Sequence, residues 1–278
     1  MLKQAVIKSI NQGILSPRLW MYSNYHCNLA CTYCLTESSP SSAKRLLSAE
    51  QMLSWAQQAK KLGFQSIGIT GGEPFFRPDI EDVIEEILTY LPVTVLTNGT
   101  LFHQKRLDRL RSLARHDFSL QISLDSASPA RNDAFRGTEN FNKVCDAIPK
   151  LIDIGIRVRI ATTVSNQSAF ESAAIRQLVR SLGVLEEDHV VRSIVSRGRA
   201  TTQKMGVDVQ QNYLMPELTL TTEGAFWSPF APTYKKNRLE KDLLITTITD
   251  PVSKSTALLL SLLKDFQMDP SAEESGFV

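Results

Sequence analysis

The chain has few cysteines, no long apolar run and almost no excess of either charge. Its longest apolar run, Ala257 to Leu263, is far too short for a membrane span and is interrupted by Ser261. Basic and acidic residues number 31 and 29, so composition gives no reason to expect a nucleic-acid partner. Lys3 and Lys8 interrupt the start, which argues against a secretory signal. We therefore expect a cytoplasmic protein without membrane or nucleic-acid partners.

The scarcity of cysteine excludes a disulfide-rich scaffold. The chain has 4 cysteines, and three of them fall within eight residues. A disulfide framework would spread its cysteines along the chain, whereas a tight cluster in a cytosolic protein favours a metal site. The remaining residue, Cys145, falls on the apolar face of a predicted helix, and we expect a buried structural thiol there.

Strand-like and helix-like apolar patterns alternate along the first two hundred residues. Helical patterns begin near Ser48, Pro78, Leu107, Asn140 and Ser168, and Pro149 is expected to kink the fourth. Six alternations predict a parallel sheet with right-handed crossovers. An open, barrel-like sheet and a flat doubly wound sheet both fit. The predicted strands are Leu19–Ser23, Gln65–Thr70, Val93–Thr97, Phe118–Leu124, Ile156–Val164 and His189–Val195.

The alternation ends near residue 200, which divides the chain into three parts. Residues 1–16 are a lead-in, 17–200 form the α/β body, and 201–278 form a small α+β extension. Within the extension we predict a hairpin of Leu218–Leu220 with Ala225–Trp227 around Gly224. A last helix is predicted at Val252–Phe266, and 269–278 is predicted to be a frayed tail.

The cysteine cluster has the spacing C-x3-C-x2-C, formed by Cys27, Cys31 and Cys34. A 4Fe–4S cluster normally takes four thiolates, so three would leave one iron free to bind a small molecule. Zinc held by these thiols and His26 is an alternative, although adjacent ligands at 26 and 27 are awkward. A thiol oxidoreductase using only Cys31 and Cys34 is another, but it leaves Cys27 unused.

The run Cys27-Asn28-Leu29-Ala30-Cys31-Thr32-Tyr33-Cys34 resembles the signature of the radical S-adenosylmethionine (SAM) superfamily, C-x3-C-x-aromatic-C. The resemblance implies a partial (β/α)6 TIM-type barrel with one 4Fe–4S cluster on the three cysteines. SAM would bind the open iron, with Tyr33 near its adenine. A reduced cluster would cleave SAM to a 5′-deoxyadenosyl radical, which abstracts hydrogen from the substrate. An electron donor such as a flavodoxin or ferredoxin is implied as a partner.

Further motifs follow predicted strands, where parallel sheets place their ligands. In Gly71-Gly72-Glu73-Pro74 the glycines allow close backbone approach and the carboxylate can hold an ammonium group. By resemblance this stretch binds the SAM amino group. The family pattern also implies SAM-site roles at other strand ends, with Ser123 and Arg136 holding the SAM carboxylate. Taken alone, each motif also fits a plain turn or cap. The remaining implied residues are Thr97, Asn98 and Asp125.

The extension resembles the SPASM or twitch segment of radical SAM maturases, introduced by Arg197 to Ala200. Such segments usually carry cysteines for auxiliary clusters, but none follows Cys145. We therefore expect a twitch-like extension without cluster ligands. The expected substrate is a peptide or protein side chain. A small molecule or cofactor precursor is the alternative, and a non-catalytic zinc-binding adaptor is the alternative from another class.

Overall fold

The structure of the protein is a computed structural model that describes residues 1–115, 117–164, 169–211 and 214–267. Its helices are Leu2–Asn11 (α1), Ala49–Leu62 (α2), Ile80–Leu88 (α3), Gln104–Leu110 (α4), Pro129–Arg136 (α5), Asn140–Asp153 (α6), Ala169–Ser181 (α7), Arg199–Thr202 (α8) and Val252–Gln267 (α9). Its strands are Arg18–Asn24 (β1), Ser66–Gly71 (β2), Val93–Thr97 (β3), Phe118–Ser123 (β4), Arg157–Val164 (β5), His189–Ser193 (β6), Thr219–Leu220 (β7), Ala225–Phe226 (β8), Tyr234–Lys235 (β9), Arg238–Leu239 (β10) and Leu244–Thr246 (β11).

The main sheet keeps β1 to β6 side by side in chain order. Each of these neighbours is paired in parallel, and the complete order is β11-β8-β7-β1-β2-β3-β4-β5-β6. A doubly wound sheet reverses its strand order part-way, and this sheet does not. The partial (β/α)6 arrangement is therefore confirmed and the flat alternative is wrong. Among the described residues the sheet stays open, since its end strands β11 and β6 are not paired with each other, and β7 pairs with β1 on the side away from β2.

Helix α2 illustrates how local sequence sets the element boundaries. The Ser48 hydroxyl accepts a hydrogen bond from the Gln51 N–H at 3.1 Å, which caps the first turn. Gly63 ends the helix in the left-handed region with φ of 97°. The Met52 and Trp55 side chains of this helix are buried in the hydrophobic core. The predicted start and end of this helix are confirmed.

The body departs from the sequence predictions at two places. Helix α5 was not predicted, because it is short and polar and has no apolar stripe. Helix α6 runs without a break through Pro149, and the kink expected there stays a prediction. Cys145 is half-buried, so the expected full burial of this thiol is wrong, although it packs against the core. The predicted helix start at Ser168 lies outside the described residues.

The C-terminal extension joins the same sheet. Strands β7 and β8 form the predicted antiparallel hairpin, with Thr219 opposite Phe226, and β8 also pairs with β11. A second hairpin, β9 with β10, turns through Lys236 and Asn237, both in the left-handed region. Helix α9 follows, and the predicted tail at 269–278 lies outside the described residues. Within the described part, no helix is long and apolar enough to cross a membrane.

Candidate active site

The carboxyl ends of the parallel strands open onto a cavity of about 360 Å³. Most of the site residues predicted from the sequence line this cavity, whereas Glu73, Pro74 and Asp125 lie behind its wall. The strand-end rule therefore placed the motifs correctly in space. The predicted residues that line the cavity are Cys27, Cys31, Tyr33, Cys34, Gly71, Gly72, Thr97, Asn98, Ser123 and Arg136.

The three thiols lie in an irregular loop that follows β1. The Cys27 sulfur accepts from the Leu29 N–H at 3.3 Å and from the Asn98 amide at 3.7 Å. Burial raises the pKa of Cys27 well above its usual range and raises the pKa of Cys31 to about 11. Both thiols are therefore protonated at neutral pH until a metal displaces the proton.

The cysteine loop is also held by hydrogen bonds from Arg199, which lies just after β6 at the end of the α/β body. The Arg199 guanidinium donates to the carbonyl oxygens of Cys31 at 2.8 Å, Glu37 at 2.7 Å and Ser38 at 2.7 Å. Its backbone N–H donates to the Cys34 carbonyl oxygen at 3.0 Å. A Cβ on the neighbouring Gly198 would lie 2.3 Å from the Leu35 oxygen, so only glycine permits this approach. The Arg197–Ala200 motif thus acts as a clamp on the cysteine loop.

The donor set fits an iron–sulfur cluster. Soft thiols are the usual ligands of such clusters, and all three face one cavity with open space beside them. His26 does not line the cavity, and its Nε2 lies 2.9 Å from the Pro40 carbonyl oxygen. Within the described ranges, no group of three or more His, Cys, Asp or Glu side chains is arranged to hold a single metal ion.

Gly71 and Gly72 bring the end of β2 against the cysteine loop. A Cβ at Gly71 would lie 2.2 Å from the Asn24 oxygen, and one at Gly72 would lie 2.3 Å from the His26 oxygen. The Gly72 N–H donates to Asn24 at 2.7 Å, and the Glu73 N–H donates to His26 at 3.0 Å. The two glycines therefore let the backbone of this turn lie close to the cysteine-loop backbone, and they also line the cavity.

The Glu73 side chain is fully buried and bonded within the wall. Its carboxylate accepts from the Phe75 N–H at 3.0 Å, the Thr97 hydroxyl at 2.8 Å and the Asn98 N–H at 2.7 Å. Burial raises the pKa of Glu73 to about 6, while these three donors oppose the rise. In this geometry the carboxylate ties β2 to the end of β3. Pro74, next in the chain, is buried at the start of a 3₁₀ turn.

The buried residues Asp125 and Arg136 form a second network at the rim with the partly buried Tyr33. Arg136 Nε donates to Asp125 at 2.7 Å, and the Tyr33 hydroxyl donates to Asp125 at 2.5 Å. Arg136 Nη2 also contacts Tyr33. Burial alone would lower the pKa of Arg136, but the Asp125 carboxylate holds it above its usual value. The Tyr33 hydroxyl is thus held by Asp125. Arg136 lines the cavity while it is ion-paired with the same carboxylate.

The comparison with known families decides the assignment. Residues 21–167, more than half of the chain, match the radical SAM superfamily. The chain belongs to the radical SAM superfamily. It is accordingly an enzyme of the group that uses a 4Fe–4S cluster and SAM. The three thiols lie within the matched region, whereas Arg192, Glu217 and Phe230 of the cavity wall follow it.

Curated relatives of this radical SAM chain have different activities. It is 36% identical over 161 residues to the antilisterial bacteriocin subtilosin biosynthesis protein AlbA of Bacillus subtilis, covering 57% of this chain and 36% of AlbA. It is 32% identical over 163 residues to a probable GTP 3′,8-cyclase of Saccharolobus solfataricus, covering 58% of this chain and 52% of that protein. The chain spans about a third to a half of the length of these two relatives.

Solved structures agree on the fold of this radical SAM enzyme. Streptococcus suis SuiB with precursor peptide SuiA has a TM-score of 0.65 at 16% identity, covering 91% of this chain and 69% of SuiB. The anSMEcpe structure with AdoMet and the Cp18Cys peptide has a TM-score of 0.66 at 13% identity, covering 93% of this chain and 84% of that chain. At these identities the likeness concerns the fold.

Several cavity residues of this radical SAM enzyme were not predicted. On β1, Arg18, Trp20 and Tyr22 alternate with apolar residues and all line the cavity. The signal was present, because polar side chains at every second position of a buried parallel strand must face an internal space. Others lie on β4, β5 and β6 and in the extension, at positions to which no motif pointed. They include Gln121, Thr163, Arg192, Glu217, Pro229 and Phe230.

Proposed function

We propose that this radical SAM enzyme acts on a side chain of a peptide or protein. One observation carries the proposal. A single cavity is lined by the three thiols, by strand-end residues suited to SAM, and by residues of the C-terminal extension. The division into a lead-in, a body ending near residue 200 and a substrate-selecting extension is part of the proposal.

In this proposal Cys27, Cys31 and Cys34 hold the cluster. The 4Fe–4S cluster, when reduced and bound to SAM, supplies the electron that cleaves SAM. The extension closes one side of the cavity and excludes water, since Pro229 and Phe230 lie in its wall.

The SAM-binding roles follow the shape of the rim. Gly71 and Gly72 leave room for the methionine end of SAM, while Ser123 and Arg136 hold its carboxylate. Arg136 suits this role because Asp125 and Tyr33 fix its orientation through Nε and Nη2, which leaves Nη1 to meet the SAM carboxylate. Thr97, Asn98 and Tyr33 complete the wall. Glu73, Pro74 and Asp125 support the wall from behind.

The charge inside the cavity favours a peptide over a nucleotide triphosphate. Three arginines, Arg18, Arg136 and Arg192, line it, but Arg136 is paired with Asp125. Glu217 also lines it and accepts a hydrogen bond from the Trp20 indole at 2.6 Å. No lysine lines the cavity among the described residues. Arginine and lysine are the usual ligands of phosphate groups, and we infer that this mixed lining, which includes Glu217, suits a peptide better than a triphosphate.

Some of the similar proteins support a peptide substrate, and others support a cofactor precursor. SuiB and anSMEcpe share this fold, and their structures contain a peptide. AlbA is named for the biosynthesis of a bacteriocin. A cofactor-precursor reaction is the second candidate, because the probable GTP 3′,8-cyclase is similar over more than half of this chain.

The test is substrate-dependent SAM cleavage. The protein is reconstituted anaerobically with iron and sulfide, then supplied with dithionite and SAM. Pools of synthetic peptides, each with one fixed central residue, are added in separate reactions, and GTP is added in another. We expect one or more peptide pools to raise 5′-deoxyadenosine formation and to change peptide mass.

The Cys31→Ala variant is the matched control, since it should bind no intact cluster and make no 5′-deoxyadenosine with any addition. Stimulation by GTP together with silence from every peptide pool would move the assignment to the cofactor-precursor reaction.

A further inference from the structure

A basic hairpin lies against the outer side of the cysteine loop. We use the term basic hairpin for residues 234–241, which contain β9, its turn and β10. The Tyr234 N–H donates to the Leu35 carbonyl oxygen at 3.1 Å, directly after Cys34 in the chain. The Asn237 N–H donates to the Glu37 carboxylate at 3.3 Å. The hairpin is therefore bonded to the loop that carries the thiols.

The base of the hairpin is a packed platform rather than a loose arm. Tyr234 and Tyr25 are buried, and their rings meet edge to face with centroids 5.2 Å apart. The Arg45 guanidinium lies 4.5 Å above the Tyr234 ring and hydrogen-bonds its hydroxyl. Arg45 also pairs with Glu223 at 3.5 Å. This platform holds the hairpin beside the cluster loop.

The outward face of the hairpin is strongly positive. Its exposed charged side chains are all basic, and Lys44 beside Arg45 adds another. Glu240, the acidic residue in this segment, is partly exposed and lies 3.6 Å from Arg197. The net charge of the whole chain is only +2, so this concentration is local. The exposed basic residues of the hairpin are Lys235, Lys236, Arg238 and Lys241.

Among the described residues, these basic side chains make no ion pairs with acidic side chains of the protein. Within the described ranges none of the five, Lys44 included, takes part in an ion pair. None of them lines the SAM cavity. They form a positive field at the surface, next to the one loop that must receive an electron. Clustered charge of one sign guides an oppositely charged protein into contact.

We propose that the basic hairpin and Lys44 are the docking surface for a small acidic one-electron carrier protein. The inference rests on the proposed function in one respect, that the cluster must be reduced. In the docked complex the carrier is oxidised by one electron and the cluster is reduced by one, with no bond made or broken. Such redox encounters are small, transient and salt-sensitive.

An acidic segment of the peptide substrate is the competing occupant. The contacts disfavour it, because the hairpin is bonded to the outer side of the cysteine loop through Leu35 and Glu37. A substrate must enter the cavity, and no residue of 235–241 belongs to its described wall.

The experiment reverses the charge of the hairpin. The variant Lys235→Glu/Lys236→Glu/Arg238→Glu is compared with Lys60→Glu/Lys61→Glu. Lys60 and Lys61 are exposed at the end of α2, which leads to the amino end of β2, whereas the cysteine loop follows the carboxyl end of the neighbouring parallel strand β1. Both variants and the wild type are reconstituted. Thermal melting checks that the exposed substitutions leave the fold intact.

Two readouts are taken with an acidic flavodoxin and, separately, an acidic ferredoxin. The first is the Kd of the complex at about 50 mM and about 300 mM salt. The second is the rate of SAM cleavage driven by the reduced carrier, compared with the rate driven by dithionite. The dithionite-driven rate tests the proposed function, because a reconstituted wild type that cleaves no SAM with dithionite would count against it. The Kd tests carrier docking independently of SAM cleavage.

We expect the hairpin variant to lose at least about tenfold in affinity for one of the two carriers, with a weaker salt dependence. Its carrier-driven rate should fall in parallel while its dithionite rate stays at the wild-type value. The Lys60/Lys61 variant should match the wild type. Unchanged carrier affinity in the hairpin variant would overturn the proposal. So would an equal loss in the control, or a variant that loses only its response to acidic peptides.

Discussion

Two neighbouring parts of the rim are held in place by different means. The turns after β2 and β3 are tied together from within by the buried Glu73 carboxylate. The cysteine loop has internal bonds as well, such as that from the Cys34 N–H to the Cys31 carbonyl oxygen, but it is also fastened from outside by Arg199, some 160 residues away in the chain. The first is organised by a local motif, whereas the second depends on the completed fold.

The difference shows what each of the two motifs can do physically. A buried carboxylate with three donors fixes backbone geometry whether or not a ligand is present. A loop held through its carbonyl oxygens keeps its own thiols free to bind metal.

Replacing Glu73 with alanine should lower the free energy of unfolding by about 3 to 5 kcal/mol. The substitution leaves the Phe75 N–H, the Asn98 N–H and the Thr97 hydroxyl buried without their acceptor. Urea denaturation of the metal-free protein measures the change. Glu86→Ala, at an exposed position on α3, is the control and should change stability by less than about 0.5 kcal/mol. A loss at Glu73 no larger than the control would remove its role as a tie.

Arg199→Met should cost about 2 to 3 kcal/mol and loosen the cysteine loop selectively. The variant keeps much of the side-chain volume but loses the bonds to the Cys31, Glu37 and Ser38 carbonyl oxygens. Hydrogen exchange should accelerate in residues 31–38 and stay unchanged in α2. Arg199→Lys, which can keep part of the contact, should lie between. Unchanged protection of 31–38 would show that the clamp is dispensable.

The stability difference between the wild type and Glu73→Gln should depend on pH. The pKa of Glu73 is about 6 when folded against an ordinary value of 4.5, so the folded state binds the proton more tightly. The Glu73 contribution is therefore most favourable below about pH 4.5 and is lost as the pH rises through about 6. The wild type should lose about 2 kcal/mol relative to the variant over this window. A flat difference would mean that the carboxylate is not desolvated.

Cys145→Ser should have the smallest effect. This thiol is half-buried on α6, away from the cavity, and burial raises its pKa to about 11. We expect a stability change below about 1 kcal/mol and an unchanged iron content after reconstitution. An appreciable loss of iron would connect Cys145 to the cluster, contrary to its position.

Part of this site could be predicted because the information is local. The spacing of Cys27, Cys31 and Cys34 and the position of each motif after a strand depend on short stretches of chain. The Ser48 cap also follows from a local pattern, whereas the alternation of strands and helices left two strand orders open and only the family resemblance favoured the barrel-like one.

The rest depends on contacts that sequence spacing does not encode. The motif suggested that the Glu73 carboxylate faces the ligand, but the fold turns it into the wall. Nothing local places Arg199 on the Cys31 carbonyl oxygen or the basic hairpin beside Leu35. Helix α5 lacks an apolar stripe, because it buries Asn132 and Arg136 instead.

The central claim is that Cys27, Cys31 and Cys34 hold a cluster with one iron open to SAM. The most direct test is electron paramagnetic resonance of the anaerobically reconstituted, dithionite-reduced protein, with and without SAM. The account predicts the signal of a reduced 4Fe–4S cluster that changes on addition of SAM. A protein that takes up zinc but no cluster, or a cluster signal that SAM leaves unchanged, would contradict it.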